Sequence, residues 1–280
     1  MLEDNLALAR EFLDSGIMLE RSDYQETAKQ TFKYLIEQMY DSNTPGFRGS
    51  QGAHSDYYAM DASARKEYTR PMPDLFCYAN SNGLAVTVLL DAAWKLGEPS
   101  LQEIALTVLE KLDSMEISGS FSHVFSNNGP SDAPPLFTDY AWLLTALLQA
   151  HGNTPNETYL GRATAVAQQM VERFFDQKGG GFFDIEEQSE ATGHLQIREK
   201  ILSDNTVAAQ ALIRLHQSTR NPDYLQIAEA TLSAFVETFQ EQGEFAADYG
   251  LAVNLLKNNS VEITVAVSYT HLTLPTILLV

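Results

Sequence analysis

Seven aspartates of this 280-residue sequence stand in loops or at the starts of apolar segments, where a carboxyl group can reach a ligand. They are Asp56, Asp61, Asp74, Asp139, Asp184, Asp204 and Asp248. Glycoside hydrolysis uses two carboxylates roughly 5 to 9.5 Å apart, and one has a raised pKa that makes it a proton donor. We predict Asp74, Asp139 and Asp204 as catalytic residues. The sequence leaves open that the aspartates before helices only cap them and that Asp184 only shapes a turn.

A polar loop from Phe47 to Ala79 holds the densest set of groups that can bind a ligand. Aromatic rings stack on sugar faces while polar groups bind hydroxyls, so this loop predicts a sugar-like ligand. The predicted ligand contacts of the whole chain are Arg48, His54, Asp56, Tyr57, Arg70, Tyr78, Asn80, Tyr140, Trp142, Asp184, Asn205, Asp248 and Tyr249. Three alternatives stay open. The two arginines can pair with nearby acids, His54 can be a surface residue, and Trp142 can belong to the core.

Other chemistries find less support in the sequence. Epimerisation beside a carbonyl needs a base; His123 and His194 stand in connecting loops from which they could reach the same place, and only His54 stands in the richest loop. No H-E-x-x-H, Walker or dinucleotide-binding motif is present, and the glycine run 179–181 follows a helix rather than a strand. We therefore predict neither a metal nor a cofactor. Cys77 is the only cysteine, which fits a reducing, cytoplasmic setting.

Charge and hydropathy limit the partners. The chain has 37 acidic and 18 basic residues, a formal net charge of −19 that repels phosphate backbones and anionic membrane surfaces. The first residues lack the basic and apolar regions of a signal peptide, and no apolar run reaches the roughly 18 residues of a membrane span. We expect neither nucleic acid nor a membrane as partner.

The segments that must position these residues are helical and of two kinds. Four have apolar residues along one face, and they begin near Tyr24, Leu101, Leu160 and Leu225. Others are apolar on nearly all sides, and they run from Leu6 to Ile17, Leu84 to Leu96, Tyr140 to Ala150 and Val207 to Leu215. A helix without a polar face must be surrounded by protein, so the alternation predicts inner and outer helices in an all-α toroid of helical hairpins.

The connections repeat too. Each outer helix is followed by a glycine and an aromatic residue, and we expect the glycine to be the helix C-cap. These pairs are Gly46 with Phe47, Gly119 with Phe121, Gly181 with Phe182, and Gly243 with Phe245. A polar residue able to cap precedes each later inner helix. We count about four and a half hairpins, ending with an inner helix from about Asp248 to Leu256, which predicts an incomplete ring.

The C-terminal region departs from this pattern. Val261 to Val267 alternates and is rich in β-branched residues, which predicts a short strand. Residues 268–280 carry no charge and no helical period, and they resemble translated sequencing-adapter read-through at the end of a metagenomic fragment. We therefore expect a partial barrel domain over residues 1–267 and a non-native tail over 268–280. The alternative is a genuine edge strand.

Three segments together resemble the spermatogenesis-associated-protein family. They are Glu3-Asp4-Asn5, Gly46-Phe47-Arg48-Gly49-Ser50-Gln51 and Ser203-Asp204-Asn205-Thr206-Val207-Ala208-Ala209. The resemblance covers residues 1 to 267 and implies an (α/α)6 barrel like those of six-hairpin glycosidases and N-acylglucosamine epimerases. It also implies a thioredoxin-like domain that this chain lacks. The chain departs from the family at Gly52-Ala53-His54-Ser55, where members usually carry an acidic pair.

Two functional hypotheses follow. The first is a fragment of a carbohydrate-active, glycosidase- or epimerase-like barrel, with a sugar site where the inner helices begin. It predicts that Asp74, Tyr78, Asp139, Asp204 and Asp248 point into one cavity. The second is a non-catalytic binding or scaffold module for the absent thioredoxin-like domain. A fragment without part of its ring can also be inactive as it stands, and fold analogy alone does not decide between these.

Overall fold

The structure is a computed structural model that describes residues 1–117, 120–187, 193 and 197–258. The predicted strand at 261–267, the tail at 268–280, Gly119 and His194 lie outside the described residues. The described helices are α1 (Leu2–Met18), α2 (Ser22–Tyr34), α3 (Ser55–Ala59), α4 (Ala62–Lys66), α5 (Ala79–Leu96), α6 (Pro99–Asp113), α7 (Phe137–Asn153), α8 (Thr158–Phe174), α9 (Leu202–Thr219), α10 (Pro222–Ser233) and α11 (Ala247–Lys257). A π-helical turn at Leu35–Met39 extends α2, and a 3₁₀ segment, Phe239–Ala246, precedes α11.

The long helices form the predicted incomplete (α/α)6 toroid. Helices α1, α5, α7, α9 and α11 pack side by side as an inner layer, and α2, α6, α8 and α10 each pack on the inner helix before them. The inner helices α5 and α7 are buried along most of their length because protein surrounds them. The outer helix α8 buries only one stripe, from Ala163 to Phe174. Four hairpins and an unpaired inner helix are therefore present in the part of the chain described.

Short antiparallel strands shape the connections. Strand β1 (Tyr40–Asp41) pairs with β2 (Gly46–Phe47), and β4 (Glu116–Ile117) pairs with β5 (Ser120–Phe121). The three-stranded sheet contains β3 (Cys77–Tyr78), β6 (Val124–Ser126) and β7 (Gly129–Pro130), with β6 in the middle. None exceeds three residues, so the strands fix loop paths without changing the all-α class.

The glycine–aromatic repeat has a different cause from the one expected. The helices before Gly46 and Gly181 end at Met39 and Phe174, so the prediction that these glycines are C-caps is wrong. Gly46 instead lies against the Phe125 ring, where a Cβ would be 2.7 Å away, and Gly181 has a φ of 73°, which favours glycine. Both glycines serve close packing and turning of the loops.

An asparagine of the following inner helix clamps the aromatic residue of two of these loops. Asn82 of α5 accepts a hydrogen bond from the Phe47 N–H (2.6 Å) and donates to the Phe47 carbonyl (2.9 Å). Asn205 of α9 does the same with the Phe182 N–H (2.6 Å) and carbonyl (3.0 Å). Both asparagines are fully buried, so the amide replaces water for loop backbone groups that would otherwise be unpaired.

Polar residues of the inner helices also differ from the expected N-caps. Asn80, Asp139, Asp204 and Asp248 lie inside the first turns of their helices. The N-cap residues are Tyr78, Leu136, Ile201 and Ala246, none of which makes a side-chain cap hydrogen bond. Asp139 still caps its own helix, because its carboxylate accepts a hydrogen bond from the N–H of the N-cap residue Leu136, so what each first-turn side chain contacts decides its role. Within the described residues, no helix is long and apolar enough to cross a membrane.

Candidate functional site

The inner helices enclose a cavity of about 770 Å³ along the axis of the toroid. Its wall is made by α1, α5, α7, α9 and α11. The residues that line its end at the helix N-termini are Glu3, Asn80, Thr138, Ser203, Asp204 and Asp248. Helix N-termini carry unpaired amide groups and a positive dipole end, so this mouth suits acids and polar ligands.

Glu3 is tied to the neighbouring inner helix. Its Oε1 accepts hydrogen bonds from the Ser81 hydroxyl at 2.6 Å and from the Asn80 amide at 3.3 Å. The half-buried Glu3 side chain therefore joins α1 to α5 across the mouth, and its carboxylate is fixed on the cavity wall by two donors.

Asp204 is the carboxyl group with the most altered acidity at the mouth. Its pKa is raised from 3.8 to about 6, chiefly by burial and also by the charges of Glu3, Asp139 and Asp184, while a hydrogen bond from Thr138 acts in the opposite direction. A carboxyl group with a pKa near 6 is still partly protonated at neutral pH, so it can donate a proton. Asp204 lines the cavity and is half-buried, which leaves it open to a ligand.

Asp139 has the same position in α7 that Asp204 has in α9, but its surroundings differ. Its carboxylate accepts hydrogen bonds from the backbone N–H of Leu136 (2.8 Å) and of Asn80 (3.0 Å). It also contacts Nδ1 of His123 at 2.9 Å. Asp139 is buried, and this pairing raises the pKa of His123 against the opposing effect of its burial. The capping alternative thus describes Asp139, whose oxygens are occupied by donors.

The other predicted site residues on inner helices, with Asp204, divide into two groups. Asn80, Trp142, Asp204 and Asp248 line the cavity. The others do not face it: Tyr140 packs between Phe121 and Phe174, Asn205 clamps Phe182, and the Tyr249 hydroxyl donates to the Leu232 carbonyl at 2.8 Å. Asp184 accepts from the N–H groups of Ile185 and Glu199, which matches the turn alternative.

The loop from Phe47 to Ala79 does not form the mouth of the central cavity. Tyr57 and Arg70 instead line a separate cavity of about 460 Å³ against the outer helix α2, and Arg70 donates to Gln38 of the π-helical turn. His54 and Asp56 are exposed. Tyr58 of α3 and Arg65 of α4 line the same cavity as residues of α2, a loop path that no periodic pattern of the sequence encodes.

The first part of this loop is held by local pairs. Arg48 forms an ion pair with Asp41 at 2.7 Å and donates to the Asp74 carbonyl at 2.9 Å, as the pairing alternative proposed. The Tyr78 hydroxyl donates to Asp74 at 3.3 Å, and its ring lies 5.6 Å from that of His123. Asp74 and Tyr78 do not line the central cavity in the described structure, so the expectation that all five named side chains share one cavity is wrong.

Among the cavity residues that were not predicted as site residues, four bear on the chemistry of the site. They are Glu3, Arg10, Thr138 and Arg214. Glu3 and Thr138 occupy the second position of their inner helices, as Asn80 and Asp248 do. A comparison of equivalent first-turn positions along the repeats would therefore have found both. The two arginines lie deeper along α1 and α9. The signal for them in the sequence was a charged residue within a predicted inner helix.

Comparison with solved structures identifies the class of fold. A GH76 α-mannanase of Bacteroides thetaiotaomicron matches with a TM-score of 0.62 at 18% identity, covering 82% of this chain and 59% of that one. A cellobiose 2-epimerase of Bacillus thermoamylovorans matches with a TM-score of 0.65 at 9% identity, covering 90% of this chain and 73% of that one. The chain thus has the (α/α)6 toroid fold found in mannanases and sugar epimerases, in incomplete form.

The sequence comparison confirms the predicted resemblance to the spermatogenesis-associated-protein family. Spermatogenesis-associated protein 20 of Homo sapiens is 27% identical over 190 residues, which are 62% of this chain and 24% of that protein. The protein of the same name from Mus musculus is 30% identical over 105 residues, 35% of this chain and 13% of that protein. The chain therefore spans less than a quarter of the length of these relatives. No protein-family model matches it.

Proposed function

We propose that this chain is the larger part of a carbohydrate-active barrel, with Asp204 as the proton donor at the mouth of its central cavity. One observation carries the proposal: a carboxyl group with a pKa near 6 lines a cavity of about 770 Å³ that opens among helix N-termini. Perturbed acids in clefts are candidates for catalysis because general acids work best near the operating pH. The fold shared with mannanases and sugar epimerases supports the same class of ligand.

In this proposal protonated Asp204 donates its proton to the leaving glycosidic oxygen in hydrolysis, or to the carbonyl oxygen in epimerisation. A second carboxylate must then act as base or nucleophile. Glu3 and Asp248 both line the cavity with Asp204, and Glu3 is the better placed because Ser81 and Asn80 fix it. Trp142 offers an aromatic surface against which a sugar ring can stack. Asp139 serves as a positioning residue through its bonds to α5, α7 and His123.

The aspartates of a related fold cannot simply be transferred. A solved α-1,6-mannanase of Salegentibacter, bound to α-1,6-mannotriose, is an inactive variant in which two consecutive aspartates are replaced by asparagines. This chain contains no consecutive pair of aspartates. The pair of acids proposed here comes from different helices, Asp204 of α9 and Glu3 of α1.

A non-catalytic binding module is the second candidate. The observation that favours it is the state of Asp139, whose carboxylate is occupied by the Leu136 and Asn80 N–H groups and by His123. In this alternative the cavity holds a sugar-like ligand without converting it. The remaining hairpins of the ring and a thioredoxin-like domain are proposed parts of the full-length protein, in keeping with the small fraction of the relatives that the chain spans.

The test separates binding from turnover. A panel containing mannose, cellobiose, α-1,6-mannobiose, glucose, glucuronate and glucose 6-phosphate is added to the chain, and the melting temperature is recorded, since a ligand that binds the folded state raises it. Bound sugars are then incubated in D₂O and followed by proton NMR, where hydrolysis produces new reducing ends and epimerisation exchanges a proton beside the carbonyl. The catalytic proposal expects turnover that Asp204→Asn removes. Binding without turnover by the native chain supports the binding module, and no shift with any sugar refutes both.

A further inference from the structure

The central cavity continues from its acidic mouth to a region that contains two guanidinium groups. Arg10 of α1 and Arg214 of α9 line the same cavity as Glu3 and Asp204. Arg10 stands seven positions after Glu3 and Arg214 ten after Asp204. At 1.5 Å per residue, the arginines lie about 10 to 15 Å deeper along the axis, which is about two or three sugar rings.

Some charged side chains in this region form ion pairs, and others do not. Lys95 holds Asp14 and Asp91 in ion pairs of 2.6 Å each, and Arg10 reaches Glu11 at 3.5 Å. The Arg214 side chain is exposed at the cavity, and within the described residues its guanidinium has neither an ion pair nor a hydrogen bond. An arginine has five N–H donors and keeps its charge in a protein, so these donors are open to a ligand or to water.

Arg10 and Arg214 also repel one another. Burial lowers the pKa of Arg214, and the positive charge of Arg10 lowers it further, while Asp91 acts in the opposite direction. Because Asp91 is already bound to Lys95, it does not give Arg214 a direct partner. Two like charges directed at a common space are stabilised when an anion lies between them, and the planar guanidinium matches carboxylate and phosphate oxygens.

We infer that the ligand of the central cavity is an acidic carbohydrate, whose anionic group is bound by Arg10 and Arg214 while its neutral end lies at Glu3 and Asp204. This inference rests on the proposed function, because it assigns the substrate class of the same cavity. Carboxylate and phosphate are the two sources of such a charge. The arrangement favours acidic over neutral sugars, since hydroxyl oxygens carry no charge to balance the two guanidinium groups.

The experiment compares sugars that differ only in charge. Binding of glucose, glucuronate, glucose 6-phosphate and inorganic phosphate to the 280-residue chain is measured by isothermal titration calorimetry at low ionic strength. These single-ring probes test the arginine end of the cavity, because one ring is too short to reach Glu3 and Asp204 as well. We expect glucuronate or glucose 6-phosphate to bind at least tenfold more tightly than glucose. Which of the two binds more tightly distinguishes the carboxylate from the phosphate. A charge-assisted hydrogen bond contributes enough that Arg214→Gln is expected to weaken binding of the acidic sugar about tenfold to a hundredfold.

Matched variants keep the inference falsifiable. Arg10→Gln is expected to act in the same direction as Arg214→Gln, and Arg214→Lys to recover part of the preference because it restores the charge. Lys29→Gln removes the same charge from an exposed position on outer helix α2 and is expected to leave binding unchanged. Circular dichroism of each variant shows whether it folds. If Arg214→Gln does not fold, the binding measured for Arg214→Lys tests the inference instead.

Each outcome separates the two proposals. Equal binding of glucose and glucuronate by the native chain overturns the inference and leaves the proposed function standing. An acidic preference that persists in both Arg214→Gln and Arg10→Gln also overturns it, because the anion then lies elsewhere. Binding of inorganic phosphate as tightly as the sugar phosphate contradicts a carbohydrate ligand. A failure of every sugar in the panel to bind refutes both.

Discussion

Replacing Asp204 by asparagine should stabilise the protein at neutral pH, because the wild-type carboxylate is ionised where ionisation is unfavourable. Burial is the main cause of its raised pKa. The rise from 3.8 to about 6 corresponds to about 3 kcal/mol. Below about pH 4 the carboxyl group is protonated in both folded and unfolded chains, so it carries no such penalty. Above about pH 6 it is ionised in both states, and the folded state bears the full penalty.

The assay is urea unfolding followed by circular dichroism between pH 4 and 7.5, with native and Asp204→Asn proteins in parallel. All other groups titrate alike in the two proteins, so the difference between their free energies of unfolding isolates Asp204. We expect that difference to shift in favour of the variant by about 2 to 3 kcal/mol as the pH rises. Asp248→Asn is the matched control. It also removes a first-turn carboxylate at the cavity but is exposed, so its effect should stay within about 0.5 kcal/mol.

A constant difference between native and Asp204→Asn proteins across this range would refute the reasoning. It would mean that Asp204 is ionised as readily in the folded chain as in the unfolded one, and its proposed role as proton donor would fall with it. A difference of the opposite sign, in which the variant loses stability as the pH rises, would show that the ionised carboxylate is bound by donors like those that hold Asp139.

Three further predictions concern the residues that position the site. Asn205→Leu should lower the free energy of unfolding by about 2 to 4 kcal/mol, because it leaves a buried loop N–H and carbonyl unpaired; an unchanged urea midpoint would contradict the clamp. His123→Ala should cost more stability at pH 6 than at pH 8.5: Asp139 raises the pKa of His123, so the protonated pair is fully formed below about pH 6.5 and lost as the pH rises through the folded value. Equal losses at both pH values would exclude a charged pair. Gly83→Ala should lower the free energy of unfolding by about 1 to 3 kcal/mol, since the new Cβ would lie 2.9 Å from the Trp142 backbone. A melting temperature equal to that of the native protein would show instead that α5 and α7 can move apart.

The layers of the toroid were predictable because they depend on periodicity. Protein surrounds an inner helix such as α7, whereas an outer helix such as α8 has one wet face, and this contrast is visible in the residue types themselves. The repeat of glycine and aromatic residues was also visible, but its cause was not. Only the structure shows that Asn82 and Asn205 bind the backbone of aromatic residues that lie 35 and 23 positions earlier in the chain.

The candidate site was predictable only in part, because equivalent sequence positions have unlike surroundings. Asp139 and Asp204 both begin inner helices, yet neighbouring N–H groups occupy the first while the second faces the cavity. The long loop misled the prediction for a similar reason. Its aromatic and charged residues fit a sugar site, but α3 and α4 carry them to the outer helix α2, and a loop path depends on tertiary contacts that leave no period.

The clamps also bear on where this chain can be divided. Asn82 and Asn205 each hold the segment that follows an earlier outer helix, and Tyr249 of α11 likewise bonds to Leu232 near the end of α10. These bonds join consecutive hairpins, while each outer helix packs mainly on the inner helix before it. A shortened version cut after α10 would therefore keep the α9–α10 hairpin but lose the bond from Tyr249, whereas one cut after α11 would keep both.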